Sequence, residues 1–347
     1  MTGPPTRPAS APEPADAGDR AGAFDRLGRR LLVPAVLALL ALVGLALYGD
    51  LREIRAELLA FDAGILVPVL GLSLVNYALR FLRWQMYLRE LDVRLTPMRS
   101  LGVFLVGFVL SITPGKAGEL GKAWLVRELG GGPAHRAVPA VVAERVTDLL
   151  GILLLVALGA SVLPEARWIG LGVFLVSALS VALLAWRPAA ERALDGLERL
   201  PGIRHRVHLV RDVYDRFRGL LRPAPLTAAL GLSIVAWGAE GAGLHLVLGS
   251  AGEAGILGSV FDYALSTLAG AVSLLPGGLL ASEASLAALL DLRGLEPAAA
   301  AAATLVIRAA TLWFAVALGL AALPWVLAAL RSRPRRRVSD AVSTDPE

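Results

Sequence analysis

The residues best placed to do chemistry in this sequence are charged side chains set inside apolar runs. Arg145 stands between Glu144 and Asp148 in the otherwise apolar stretch 138–163. Glu144 and Asp148 are four residues apart and share one face of a helix, with Arg145 close enough to neutralise one of them. Arg308 lies in the run 297–323 with no acid nearby, so Glu283 or Glu240 must partner it, or an anionic ligand must. Where such runs cross a bilayer, a central charge costs roughly 2.5–3.5 kcal/mol on insertion scales, so these residues imply a polar pathway or an internal ion pair. Arg80 and Arg83 lie in the run 64–88, where Arg83 is expected to snorkel to the cytoplasmic edge.

A second kind of chemistry is written in the backbone. The stretch Thr113-Pro114-Gly115-Lys116-Ala117-Gly118-Glu119-Leu120-Gly121-Lys122 interrupts an apolar run with a proline that cannot donate and a glycine that tolerates tight geometry. Irregular backbone at membrane depth persists only where protein buries it or water reaches it. A returning helix starting near Lys116 would point its N-terminal amides inward, an arrangement that favours an anion and phosphate especially. Lys116 and Lys122 would reinforce that preference. Pro276-Gly277-Gly278, followed by Glu283, repeats the theme in the second half, but with no cation before Arg293.

The elements that must hold these residues are apolar helices. The chain has 347 residues, 56% of them hydrophobic and 18% charged, with a mean hydropathy of +0.64. The charges are bunched between long apolar runs, the pattern of a helical membrane protein whose spans each need about 20 apolar residues. The absence of cysteine excludes disulfides, zinc–thiolate sites and thiol catalysis. The four histidines show no metal-ligand spacing, so no metal site is expected. No phosphate-binding loop of the G-x-x-x-x-G-K-[ST] type is present, and no cofactor is expected. The net charge of +5 sits in the connections, where membrane topology would place it, and implies no nucleic acid.

Residues 1–25 read as a disordered cytoplasmic tail, 26–330 as a single membrane domain and 331–347 as a basic cytoplasmic tail. The apolar runs 31–49, 64–88, 138–163, 167–186, 225–249 and 297–323 are six full spans. The shorter runs 100–113 and 259–275, each ending in Pro-Gly, are expected to be re-entrant, with 116–129 and 278–293 as returning arms. The stretch 187–222 carries nine arginines against five acids, and Arg331 to Arg337 adds five arginines with no acid. With these stretches in the cytoplasm, both termini are cytoplasmic and every loop agrees in sign. Within the segment 188–222, apolar residues recur at helical spacing from Ile203 to Leu221, an amphipathic helix for the inner leaflet or for solvent. Trp84, Trp124, Trp168, Trp186 and Trp325 fall near span ends, as interfacial anchors do, while Trp237 and Trp313 are expected in the interior.

The halves are alike. Ser111 to Gly115 aligns with Ser273 to Gly277 at an offset of 162, Ser73 to Tyr77 with Ser233 to Trp237 at 160, and Arg145 with Arg308 at 163. The second alignment sets Arg80 opposite Glu240. With three full spans and one hairpin per unit, repeat 1 (about 31–163) and repeat 2 (about 167–325) must be inserted in opposite senses. The expected fold is therefore an all-α integral membrane protein with six transmembrane helices and two re-entrant hairpins in an inverted repeat, an architecture that places a site near the midplane.

The T-P-G-K-A-G-E-L-G-K stretch, the E-R-V-T-D stretch from Glu144 to Asp148, and the Pro-Gly-Gly followed by Glu283 together resemble the lysylphosphatidylglycerol synthase transmembrane, flippase-like family. The resemblance covers about residues 31 to 325. It implies a bacterial inner-membrane protein in which Pro114, Gly115, Gly118, Glu119, Glu144, Arg145, Asp148, Pro276, Gly277, Glu283 and Arg308 line a translocation region. Leu279 to Ser282, between the second Pro-Gly-Gly and Glu283, depart from the family's pattern. The chain carries no soluble aminoacyl-transferase domain, so synthesis of a lysyl-lipid is not implied. The expected function is translocation of an anionic phospholipid or polyprenyl-phosphate-linked substrate, with membrane lipids as partners. A lipid-headgroup or glycosyl transferase and an envelope-biosynthesis scaffold are the alternatives.

Overall fold

A computed structural model describes residues 50–113, 118–161, 207–249 and 255–332, with single positions at 44 and between 168 and 196. Every regular element among the described residues is a helix. The expected spans 31–49 and 167–186, both terminal tails, and Pro114, Gly115 and Lys116 lie outside the described residues.

Asp50 starts helix α1 (Leu51–Ala60) by accepting from the Arg52 N–H at 2.7 Å, the usual device for satisfying a helix's free first amides. Its one buried residue is Ile54, which packs against Ala287, Ala298, Ala301 and Ala302. Asp62 caps a 3-10 turn in the same way, and the turn leads into the long helix α2 (Leu66–Glu90). Helix α3 (Pro97–Leu110) begins on a proline, whose missing N–H costs nothing in a first turn. After the first Pro-Gly stretch come α4 (Gly121–Glu128) and α5 (Ala134–Ser161).

The same order then recurs. Helix α6 (Val207–Leu220) connects to the long α7 (Pro223–Leu248), followed by α8 (Gly255–Val272). A 3-10 turn at Pro276–Gly278 precedes the short α9 (Ala281–Leu292). The last long segment is α10 (Pro297–Arg308), a π-helical turn at Ala309–Trp313, and α11 (Phe314–Arg331). Gly277 and Gly278 both have positive φ, 64° and 69°. At Gly278 a Cβ would come within 3.1 Å of the Gly270 backbone, so glycine serves both the turn and its seat on α8.

Four segments are long and apolar enough to cross a membrane: Ala63–Glu90, Pro223–Leu248, Gly255–Val272 and Pro297–Arg331. The third is the run expected as a re-entrant arm, and its length and composition also suffice for a full span. Helix α8 has 18 residues, about 27 Å at 1.5 Å per residue, close to the thickness of the hydrocarbon core. The sequence reading began this element at Ser259 and so missed its first turn. Helix α5 has 28 residues, with Glu144, Arg145 and Asp148 interrupting its apolar run.

Packing interleaves the two halves. Helix α2 lies along α7, α3 along α11, and α8 along α5. Asn76 of α2 donates to the Ala236 carbonyl of α7 at 2.8 Å, anchoring the central pair. One apolar core gathers Trp84, Tyr87, Phe104, Val126 and Phe217. The other gathers Val156, Leu244, Phe261, Leu290 and Ile307. Helix α6 is the amphipathic segment expected from the sequence. It packs on α5 and buries Val207, Phe217 and Leu220, while Leu209 and Val210 stay exposed.

Two edge readings are corrected. Arg83 does not snorkel: it is fully buried and ion-paired to Asp148. Trp84 is no interfacial anchor, because its ring is fully buried and its indole N–H donates to Ser100 Oγ at 3.1 Å. Trp313, expected inside, is 38% exposed.

Candidate functional site

Between the two apolar cores lies an open cleft lined from α2, α3, α4, α5, α7, α8, α10, the π-helical turn and both Pro-Gly regions. Of the expected site residues, Glu119, Lys122, Glu144, Arg145, Gly277, Gly278 and Arg308 line it. The two halves of the sequence thus meet at one place.

The cleft is held by ion pairs. Arg145 reaches Glu119 through Nε at 3.1 Å and Asp148 through Nη2 at 2.9 Å. Asp148 also accepts from Arg83 at 2.6 Å and from the Trp237 indole at 3.1 Å, and lies 3.3 Å from Arg80. Lys122 pairs with Glu144 and is nearly fully buried. Its ammonium sits 4.2 Å from the centre of the Trp84 ring and 5.6 Å from that of Phe104, an aromatic seat that stabilises a buried cation. In the second half Arg308 binds Glu283 at 2.6 Å and the Gly277 carbonyl at 3.3 Å. Of the partners considered for Arg308, the structure pairs it with Glu283, despite the four residues that separate that glutamate from the Pro-Gly-Gly.

Glu119 and Glu283 are 164 residues apart, and Arg145 and Arg308 are 163 apart. Each half therefore builds the same bridge, from a glutamate just after its Pro-Gly stretch to an arginine in its next long helix. In each bridge the guanidinium is the more exposed partner. Arg145 is 25% exposed against 4% for Glu119, and Arg308 10% against 6% for Glu283. The acids lie deeper than the arginines, so the cleft wall presents cationic donors able to fork onto a phosphate or carboxylate.

The first amides of the expected returning arm, from Lys116, lie outside the described residues. The Gly118 N–H donates to Thr113 Oγ1 at 2.7 Å, so that amide closes the tip. Glu283 occupies the first turn of α9, where the helix's positive end already favours a carboxylate. Gly118 and Pro276 support the cleft without lining it: a Cβ on Gly118 would come within 2.7 Å of the Leu110 carbonyl, and Pro276 is buried.

Sequence reasoning missed several lining groups. Tyr77 donates to the Thr311 carbonyl at 2.6 Å, engaging the backbone of the π-helical turn just after Arg308. Such turns recur at functional sites because they shift the helix face by one residue. Trp237 does more than pack: Arg80 stacks between its ring and that of Phe108, at 5.3 and 5.7 Å. Glu240, considered from the sequence as a partner for Arg308, instead accepts from Tyr263 at 2.6 Å. The alignment of Arg80 with Glu240 was the available signal for both, since both line the cleft. Among the described residues, no three histidines or acids gather to hold a metal ion.

Helices long enough to span a bilayer, enclosing a cleft of paired charges, define a multi-pass helical membrane protein with a polar interior site. The family described as "Lysylphosphatidylglycerol synthase TM region" matches residues 31–319, and the chain belongs to it. The chain is also similar to two proteins of the archaeon Methanothermobacter thermautotrophicus, each described as a UPF0104 membrane protein. One is 27% identical over 326 residues, covering 86% of this chain and 95% of the relative. The other is 28% identical over 308 residues, covering 82% and 90%.

Proposed function

We propose that the protein translocates an anionic lipid, a phospholipid or a polyprenyl-phosphate-linked substrate, across a bacterial cytoplasmic membrane, and that it works as a transporter rather than an enzyme. The observation that carries this reading is the matched pair of bridges, Glu119–Arg145 and Glu283–Arg308, meeting at one cleft with the arginine the more exposed partner in each. Charges are placed inside a membrane protein at a cost of several kcal/mol, and a pathway for an anionic headgroup gives them a use. The recurring order of long helix, interrupted helix, short helix and long helix supports an inverted repeat with two re-entrant tips. In this arrangement the tips alternate in closing the cleft toward each side, the headgroup passes between them, and the acyl tails stay in lipid. Both termini are cytoplasmic in the orientation set by the basic connections.

The test is translocation of fluorescent phosphatidylglycerol in proteoliposomes, read by chemical quenching from outside. The wild-type protein should accelerate quenching beyond half of the label. Arg145→Ala and Arg308→Ala should each lower the rate at least about tenfold while inserting normally. Wild-type rates in both variants would overturn the reading.

A further inference from the structure

Glu240 is the odd member among the acids buried in the helices. Glu119, Glu144, Asp148, Asp262 and Glu283 each sit in an ion pair. Glu240 is only 4% exposed and lines the cleft. Among the described residues no cation lies within ion-pair distance of it, and its hydrogen bond comes from the Tyr263 hydroxyl. The groups that face it are Tyr77 and Arg80 from α2, Asp148 from α5, Tyr263 from α8 and Arg308 from α10. Asp262, next to Tyr263, is taken up by Arg293, and His245 on its own helix contacts Ser259. Glu240 is thus the carboxylate of the cleft that can gain or lose a proton without breaking an ion pair.

The charge balance gives that proton a consequence. Among the described residues, Arg80, Arg83, Lys122, Arg145 and Arg308 bring five positive charges to the site, and the ion-paired Glu119, Glu144, Asp148 and Glu283 bring four negative ones. With Glu240 protonated these residues carry one net positive charge, the complement of a single phosphodiester anion. With Glu240 ionised the balance is nil. In a medium of low dielectric one charge at the site decides whether an anion is held.

We propose that Glu240 is a proton site coupled to the anion. The cleft takes up one proton on the Glu240 carboxyl with each phosphodiester headgroup and releases the two together, so that translocation is proton-linked symport. This rests on the translocation reading of the same cleft, and it supplies an energy source for a chain with no nucleotide-binding loop.

The experiment is calorimetric binding of short-chain phosphatidylglycerol to the full chain in detergent, in buffers of different ionisation enthalpy across about pH 5 to 8. The wild type should bind with uptake of about one proton, and its affinity should fall by up to about tenfold per pH unit as Glu240 ionises. Glu240→Gln should take up no proton and lose the pH slope, whereas Glu240→Asp should retain both. Wild-type binding without proton uptake would overturn the assignment, as would an intact slope in Glu240→Gln. If Glu240→Gln does not assemble, the wild type and Glu240→Asp decide: loss of uptake in an assembled Glu240→Asp also counts against it. A wild type that binds no phosphatidylglycerol at any pH would overturn the translocation reading itself.

Discussion

The two halves of the cleft reach the same bridge with very different support. Around Arg145 the charges are crowded: Asp148 serves Arg80, Arg83 and Arg145, Glu119 shares Arg145, and Lys122–Glu144 lies alongside. Around Arg308 they are sparse, with Glu283 and one backbone carbonyl as its partners and Glu240 held by a tyrosine. A crowded network fixes its members, because moving one leaves several buried charges uncompensated. A single bridge can be exchanged for a ligand at the loss of one partner. By this comparison the first half is the fixed wall of the cleft and the second half its adjustable one. Lys122 is committed to Glu144, and Lys116 lies outside the described residues.

The comparison can be broken most forcefully at Asp148. Asp148→Ala strips the shared acid from three arginines, and removing one partner of a buried pair costs about 3–5 kcal/mol. Thermal unfolding in detergent should show a large fall in midpoint or failure to assemble. The second test sets the two bridges against each other. Glu283→Gln leaves Arg308 with no negatively charged partner, whereas Glu119→Gln leaves Arg145 its pair with Asp148. The first should destabilise by about 2–3 kcal/mol more than the second, the difference between an uncompensated and a compensated buried charge. Equal losses would remove the distinction between a fixed and an adjustable wall. The smallest effect belongs to the aromatic seat of Lys122. Trp84→Phe keeps an aromatic face but loses the bond to Ser100, a change of about 1 kcal/mol in the same unfolding assay.

Much of this was legible in the sequence, for physical reasons. Proline followed by glycine marks where a helix must break, and an arginine in an apolar run marks where a partner must exist. These signals marked Arg145 and Arg308 and offered Glu283 as one of the candidates for Arg308, but the pairing of Arg145 with Glu119 came only from the structure. Hydropathy, however, gives depth along a helix and says little about azimuth. Arg83 and Trp84 lie near the end of α2 and read as edge residues, yet they face the core, and Arg83's partner lies 65 residues away. The seat of Lys122 is likewise built from α2 and α3, and no local pattern announces it. The start of α8 was hidden by the glycines before Ser259, which weaken a helical reading without ending the helix.

The central claim is that both halves present their arginines to one anionic headgroup. It is tested most directly by an experimental structure of the full chain with short-chain phosphatidylglycerol. The account predicts phosphate density inside the cleft, within hydrogen-bond reach of Arg145 or Arg308, with the acyl chains directed toward lipid. Phosphate bound only on the outer surface of the helices, with both bridges unchanged and the cleft filled by water, would contradict it.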